Sequence, residues 1–198
     1  MKQKLLSLLI ILILTGCSPA AMSGTPTPIT IPNVDPEGHL KQVDNRLIYN
    51  DWPLSLILPS DWPVENLMEE VLSDAALKST FTRNALPDRD YSPTLTIILN
   101  KVPPAFDAAR YSIAVQRQQK EYFSTIIKKS IEDEKVGLQN SIFYITSHEI
   151  NGIEHTNYIV HATNNDVGVQ VILEAETNAL EDVSQEFDAI LGSLKFEN

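Results

Sequence analysis

The spacing of apolar side chains predicts regular structure from about residue 40 onward. Arg46 to Asn50 and Leu54 to Leu58 are two short apolar runs on either side of Asp51-Trp52-Pro53, a pattern typical of a β-hairpin. Between Glu65 and Phe81 the apolar residues recur three and four positions apart, which predicts a helix. The residues of that stripe are Leu67, Met68, Val71, Leu72, Ala75 and Ala76.

The middle of the chain predicts a strand followed by a long helix. Leu95 to Leu99 is a continuous apolar run with β-branched residues, which favours a strand covered on both faces. Pro103-Pro104 ends it. The spacing from Phe106 to Ile127 then predicts one amphipathic helix. Its apolar positions are Phe106, Ala109, Ile113, Tyr122, Phe123, Ile126 and Ile127.

The last third of the chain predicts three strands and a closing helix. Asn151-Gly152 favours a two-residue hairpin turn, because both of its central positions need positive φ. Asn164-Asn165-Asp166 forms the next turn, and Ala179 to Leu191 closes the chain as a helix. The strands are Ile142 to Ile150, Ile153 to Thr163 and Val167 to Thr177. Strands joined by hairpins predict an antiparallel sheet, and helices on both sides of it would explain why several strands are apolar on both faces.

The first residues have the pattern of a bacterial signal peptide. Lys2 and Lys4 precede an apolar run from Leu5 to Leu14 that only Ser7 interrupts. Ten helical residues rise about 15 Å, half of a bilayer core, so this run is interpreted as a signal segment and not a membrane span. The run ends in Leu14-Thr15-Gly16-Cys17.

That tetrapeptide resembles the lipobox of bacterial lipoproteins, in which the cysteine becomes the lipid-bearing N-terminus. The resemblance implies lipid attachment at Cys17, with a diacylglyceryl group on the thiol and usually a third acyl chain on the amine. Two or three chains anchor stably, at about 0.8 kcal/mol per buried methylene. An ordinary secretory signal, with Cys17 beside the cleavage point by chance, is the alternative. Cys17 is the only cysteine, so the sequence excludes an intrachain disulfide and a cysteine-based metal site.

These patterns divide the chain into three parts. Residues 1–16 are expected to be cleaved, and residues 17–40 form a Pro/Thr-rich tether that includes Thr25-Pro26-Thr27-Pro28. Residues 41–198 form a single domain. Cleavage removes Lys2 and Lys4 from the 15 basic residues and none of the 26 acidic ones, which leaves a formal charge of −13. Such a charge disfavours nucleic-acid binding and attachment through a polybasic patch.

The strongest candidate for local chemistry is a pair of histidines. A turn at Asn151-Gly152 places His148 directly opposite His155, with Cβ atoms about 5 Å apart, close enough for two imidazoles to share a metal ion. His161 lies on the same face but about 20 Å along its strand. The other residues near the pair are poor third ligands or point to the opposite face; they are Thr146, Asn157, Glu149 and Glu154.

Without a converging carboxylate, the histidine pair is expected to be a solvated polar hairpin end, and no metal or cofactor is assigned. Glu174 and Glu176 alternate on one strand face and are interpreted as solvated edge charges rather than paired catalytic carboxylates. The chain also lacks a Gly-x-Ser-x-Gly elbow, a glycine-rich phosphate loop, a His-Glu-x-x-His helix and an EF-hand loop. We therefore expect no catalytic site.

Three segments resemble the PsbP-like superfamily, which includes the bacterial DcrB-type lipoproteins. Leu56 to Trp62 resembles its opening strand, Glu149 to Gly152 its glycine hairpin, and Phe187 to Phe196 its closing helix and last short strand. The resemblance spans most of residues 46–196. It implies an α+β fold, an α/β/α sandwich around a mainly antiparallel sheet, and a non-enzymatic accessory or interaction role. It does not carry the metal or chloride role of the plant relatives to any residue of this chain.

The sequence thus predicts a membrane-anchored, non-enzymatic interaction module of the bacterial cell envelope, with an envelope protein as partner. The alternative is a lipoprotein that binds a small ligand or a metal outside the membrane. Ser18 follows the lipid-bearing residue, so outer-membrane sorting is expected in a bacterium with two membranes. In a cell with one membrane the chain would lie on the outer face of the cytoplasmic membrane.

Overall fold

Strands make up most of the regular structure in the computed structural model, which describes residues 38–197. The β-strands are β1 (Leu40–Val43), β2 (Arg46–Tyr49), β3 (Leu54–Ile57), β4 (Leu67–Ser73), β5 (Ala76–Thr82), β6 (Thr94–Lys101), β7 (Thr125–Ile131), β8 (Ser141–Ile150), β9 (Ile153–Asn164), β10 (Val167–Glu176) and β11 (Lys195–Phe196). The α-helices are α1 (Ala108–Gln118) and α2 (Leu180–Ser193). Short 3-10 turns lie at Val64–Asn66, Lys120–Phe123 and Thr177–Ala179.

Two antiparallel sheets organise these elements. The larger sheet has seven strands in the order β4-β5-β6-β10-β9-β8-β7, and the smaller has four in the order β1-β2-β3-β11. Helix α1 packs against β8 and β9, whereas α2 packs against β10 and β3. Along β10, Ile172 belongs to the cluster under α1, while Val171 and Leu173 belong to the cluster under α2. The two helices therefore cover opposite faces of the large sheet, which confirms the predicted α+β architecture.

The main core lies between the large sheet, α2 and the small sheet. Leu95, Ile97 and Leu99 of β6 point into it and are fully buried, whereas Thr96 and Ile98 on the opposite face are only half-buried. The prediction that this strand is covered on both faces is therefore wrong, because α1 lies over β8 and β9 and leaves much of the outer face of β6 open.

The predicted helix between Glu65 and Phe81 is instead the β4–β5 hairpin. Strand β5 pairs with β6 along its whole length, so Leu77 and Phe81 point into the core in the alternation of a strand. The apolar residues of the predicted stripe do not share a buried helix face: Met68 and Val71 on β4 are 66% and 61% exposed. The spacing of apolar residues alone predicts a helix here, but pairing within the sheet makes the segment two strands.

The predicted helix from Phe106 to Ile127 is also shorter than expected. Helix α1 begins after Asp107, whose carboxylate accepts a hydrogen bond from the amide of Arg110 at 2.8 Å, and it ends at Gln118. Ile126 and Ile127 belong to strand β7, which pairs with β8. Their β-branched side chains suit a strand better than a helix end. Helix α1 buries Tyr111 and Val115 and leaves Ile113 exposed, so the predicted apolar face is wrong as well.

The other predicted elements agree with the structure. The β2–β3 hairpin pairs Arg46 with Ile57, and the three C-terminal strands and closing helix lie within two residues of their predicted bounds. Asn151 and Gly152 have φ values of 51° and 85°, as their turn requires. The predicted signal segment, Cys17 and all of the tether before residue 38 lie outside the described residues. Within residues 38–197, no helix is long and apolar enough to cross a bilayer.

An ion pair and a hydrogen bond tie α2 to the segments that follow β5 and β3. Glu186 on α2 accepts two hydrogen bonds from Arg83, at 2.8 and 2.7 Å, and a third from the indole of Trp62 at 2.7 Å. Hydrogen bonding to the Arg83 guanidinium, the largest cause, holds the pKa of Glu186 below its usual value. Trp62 is itself fully buried against Phe187, so the pair anchors a large apolar side chain in the core.

We expect Glu186→Gln to lower the free energy of unfolding by about 1.5–3 kcal/mol at pH 7, because a charged acceptor of three hydrogen bonds is lost. A carboxylate with a depressed pKa stabilises the fold above its unfolded pKa and loses this contribution as the pH falls. The difference from wild type should therefore shrink below about pH 4. Urea unfolding at several pH values measures this difference in the free energy of unfolding. Glu181→Gln, on an exposed position of the same helix, is the control; an equal loss there would contradict the assignment.

Candidate functional site

Polar side chains converge on the α1 face of the large sheet, near the β8–β9 turn. His148 and His155 are direct cross-strand partners, and their ring centroids lie 5.7 Å apart. This confirms the pairing that the Asn151-Gly152 turn predicts. The expectation of a solvated hairpin end is wrong for His155, which is only 2% exposed.

A carboxylate reaches this histidine pair from a third strand. Glu174 lies on β10 opposite Asn157, and its Oε1 is 3.0 Å from Nδ1 of His155. The sequence-based expectation of no convergent carboxylate is therefore wrong. It considered only the β8–β9 hairpin, whereas Glu174 arrives through the pairing of β9 with β10. Within residues 38–197, however, no group of three or more His, Cys, Asp or Glu is arranged to hold a metal ion.

The two imidazoles differ in their hydrogen bonding. The amide of Asn157 lies 2.8 Å from Nδ1 of His148, which accepts from it if the ring proton is on Nε2. Neither ring nitrogen of His155 has a hydrogen-bond partner within the described residues, since its contact with Glu174 lacks the alignment of a hydrogen bond. A buried imidazole without partners is unusual, because an unsatisfied buried polar group costs about 1–3 kcal/mol.

Two tyrosines close over the histidines. Tyr91 packs edge-on against His155 with a centroid distance of 5.1 Å, and Tyr122 packs in the same way against His148 at 5.3 Å. Burial is the main reason why the pKa of His148 lies below its usual value. The nearby His155 lowers it further, and Glu174 opposes the shift.

Glu176 holds the loop that carries Tyr91. It is 4% exposed and accepts hydrogen bonds from the backbone amides of Asp90 and Tyr91, at 2.9 and 2.8 Å. Glu174 is also largely buried, with 17% of its side chain exposed. The interpretation of Glu174 and Glu176 as solvated edge charges is therefore wrong. One carboxylate faces His155, and the other fixes the loop above it.

A second polar group lies further along β9, beneath α1. Nδ1 of His161 is 2.8 Å from Oγ of Ser112, which in turn lies 2.7 Å from the hydroxyl of Tyr144. Gln116 donates to that hydroxyl at 2.7 Å. Burial lowers the pKa of His161 to about 3, so its ring is neutral at physiological pH. As expected, His161 does not join the His148–His155 pair.

The Ser112–His161 contact has the length of a nucleophile–base pair, but its surroundings do not suit catalysis. Ser112 is 2% exposed and His161 is fully buried, so a substrate does not reach them without displacement of α1. The other ring nitrogen of His161 has no hydrogen-bond partner within the described residues, whereas a catalytic base is oriented by a third group. The contact is best explained as part of the α1–sheet interface.

The fold defined by these layers is the PsbP-like α+β fold. The solution structure of cyanobacterial PsbP (CyanoP) from Synechocystis sp. PCC 6803 is similar, with a TM-score of 0.53 and 13% sequence identity, over 80% of this chain and 92% of that chain. LpqN of Mycobacterium tuberculosis, described as involved in cell envelope biogenesis, has a TM-score of 0.52 and 16% identity, over 73% and 83% of the two chains.

A structure from Bacteroides thetaiotaomicron is more distant, with a TM-score of 0.45 and 11% identity, and this chain spans 46% of its length. No family model matches the chain, and no curated protein does. At these identities the similarity to CyanoP and LpqN establishes the fold alone. The sequence resemblance to the PsbP-like superfamily is confirmed at that level.

We expect His161→Gln to flatten the dependence of stability on pH. The pKa of an unfolded histidine is about 6.5, so acidification protonates the unfolded chain first. Wild type should therefore lose stability as the pH falls from about 6.5 towards the folded pKa of about 3, and the variant should lose less. Thermal melts between pH 7 and pH 4 measure the slopes. His39→Gln lies outside the polar layer, the buried polar side chains on the α1 face of the large sheet, and should retain the wild-type slope. A full slope in His161→Gln would refute this assignment.

Proposed function

We propose that this chain is a lipid-anchored, non-enzymatic accessory protein of the bacterial cell envelope, of the DcrB type. The observation that carries the proposal is the order of segments: an apolar run, Leu14-Thr15-Gly16-Cys17, a proline-rich tether and then one PsbP-like domain. A cysteine directly after a signal segment suits lipid attachment. The tether then separates the domain from the bilayer.

The fold and the polar layer support this role. LpqN, which has a similar fold, is described as involved in cell envelope biogenesis, and this agrees with an envelope location. The polar groups under α1 support binding or structural roles better than catalysis, since the Ser112–His161 pair is closed to solvent. In a two-membrane bacterium Ser18 favours the outer membrane. In a one-membrane cell the protein would lie on the outer face of the cytoplasmic membrane.

The anchor predicts that cells grown with a palmitate analogue label this chain, and that Cys17→Ser abolishes the label because the acceptor thiol is gone. Labelling is measured on the captured chain by gel fluorescence, with intact-mass analysis to locate the new N-terminus. Ser18→Ala, one residue beyond the lipid-bearing position, should keep the label. A labelled Cys17→Ser variant, or an unlabelled wild type cleaved elsewhere, would overturn the anchor.

The accessory role predicts a protein partner. Capture of the full chain from envelopes dissolved in mild detergent should recover one further protein in a fixed ratio. Contacts of this kind bury about 1,200–2,000 Å² and survive gentle washing. The Cys17→Ser chain, which is expected to lose its lipid, provides the comparison. Recovery of no partner above the level of an unrelated lipoprotein control would count against the role.

A second function, binding of a small ligand or metal outside the membrane, is favoured by one observation. His155 is buried, both of its ring nitrogens lack hydrogen-bond partners within the described residues, and a carboxylate oxygen of Glu174 lies 3.0 Å from one of them. Imidazole nitrogen and carboxylate oxygen are common ligands of zinc. The ring of His148 lies beside that of His155, with centroids 5.7 Å apart, and would have to move to supply a third donor.

This second function predicts that zinc or nickel raises the melting temperature of a chain without a polyhistidine tag. At a metal concentration 100 times Kd, the gain is about 2.7 kcal/mol. His155→Gln should lose the gain, whereas His39→Gln should keep it. If neither metal shifts the melt of wild type, the metal-binding function is excluded for these ions.

A further inference from the structure

The two edge strands of the large sheet hold most of the exposed apolar side chains. Strand β4 lies at one end of the strand order and β7 at the other. Of eight large apolar residues that are exposed within the described chain, three lie on β4 and three on β7. They are Met68, Val71, Leu72, Ile126, Ile127 and Ile131, with exposures between 45% and 74%. Such residues on a sheet edge indicate an interaction surface.

The two edges carry opposite charges at the same place. Glu69 and Glu70 lie in the middle of β4, and Lys128 and Lys129 lie in the middle of β7. Each pair has apolar residues on both sides. The two strands have seven residues each, so one edge has the length and charge that fit the other.

An antiparallel alignment of β4 with β7 matches the strands along their length. When Leu67 faces Ile131, Glu69 faces Lys129 and Glu70 faces Lys128. In the same register Val71 faces Ile127, Leu72 faces Ile126 and Ser73 faces Thr125. Opposite charges and apolar pairs directly across a strand pair are stabilising. A parallel alignment with level strand ends matches only one of the charges. Shifted by one residue it matches both, but it pairs six residues instead of seven, and parallel pairing is slightly less stable per residue.

Pairing of like edges is disfavoured by the same charges. Two β7 edges would bring Lys128 and Lys129 of both copies together, and two β4 edges would do so for Glu69 and Glu70. Like charges directly opposite each other destabilise a strand pair. A contact between copies therefore selects the β4 edge of one and the β7 edge of the next.

We propose that copies of this chain associate head to tail, with β4 of one copy pairing antiparallel to β7 of the next. The large sheet has seven strands in antiparallel order, so β4 and β7 run in the same direction within one copy. Successive copies must therefore be turned over, and the α1 layer of one lies on the α2 side of the next. In this arrangement the two side chains of each facing pair, one from β4 and one from β7, lie on the same side of the joined sheet. A heterologous contact of this kind builds rings or open chains. The inference does not depend on the proposed anchor.

Features within the copy show how readily the contact would form. Lys128 is bonded to Asp133 at 2.7 Å, and Glu70 lies 3.6 Å from Lys78, so pairing exchanges existing ion pairs. Both edge strands also have a bulge, between Val71 and Ser73 and between Ile126 and Lys128. Charges and bulges restrain edge pairing, so the association is expected to be reversible and weakened by salt.

Charge-reversal variants of the full chain test the proposal. Glu69→Lys with Glu70→Lys makes both edges basic, and Lys128→Glu with Lys129→Glu makes both edges acidic. Each variant alone should lose at least tenfold in association constant relative to wild type. An equimolar mixture of the two should regain it, because each acidic edge then meets a basic one. Sedimentation velocity in one detergent, at low and high salt, measures the association, and circular dichroism checks the fold.

Matched controls change the same charges away from the edges. Glu149→Lys with Glu154→Lys, in the β8–β9 hairpin, and Arg110→Glu with Arg117→Glu, on exposed positions of α1, should associate as wild type does. If a reversal variant does not fold, the glutamine variants at the same positions should weaken association and its salt dependence. A wild type that stays monomeric at every concentration would overturn the proposal. So would a mixture of the two reversal variants that does not regain association.

Discussion

The alternation of side chains across the large sheet is the constraint on which the other features depend. On β9 and β10 every second residue points into an apolar core shared with α2 and the small sheet, as do Val160, Ala162 and Val171. The residues between them point beneath α1, and many of these are polar, as are His155, Asn157 and Gln170. One face therefore supplies most of the hydrophobic stabilisation. The other is free to carry polar groups that a core would exclude.

The polar layer is retained although burial of polar groups is costly. Much of the cost is offset by hydrogen bonds, as in the Ser112–Tyr144–Gln116 group, and by the backbone amides that Glu176 binds. His155 is the exception, because neither ring nitrogen is satisfied within the described residues. The unsatisfied ring of His155 is the observation that favours the alternative role, binding of a ligand. The hydrogen-bonded group around His161, further along β9, stabilises the α1–sheet interface, whatever the partner of the chain.

Local sequence signals predicted the features that depend on neighbours in the chain. Asn151-Gly152 specified its turn, and from that turn followed the pairing of His148 with His155. The β4–β5 hairpin was missed because its apolar residues lie exposed at a sheet edge, and their spacing imitates a helix. Glu174 was missed because its approach to His155 depends on the pairing of β9 with β10, which the hairpin alone does not reveal. The PsbP-like resemblance supplied the layer arrangement that periodicity could not.

The lipid anchor and the protein partner both add to the mass of the intact particle, so one measurement of that mass tests both. Native mass spectrometry of the full chain, released gently from envelopes, measures that mass most directly. The account predicts a chain that starts at Cys17, carries two or three acyl chains and is bound to a different protein in a fixed ratio. A chain that retains residues 1–16, or begins elsewhere without lipid, and that has no protein partner, would contradict the central claim that this is an anchored accessory module.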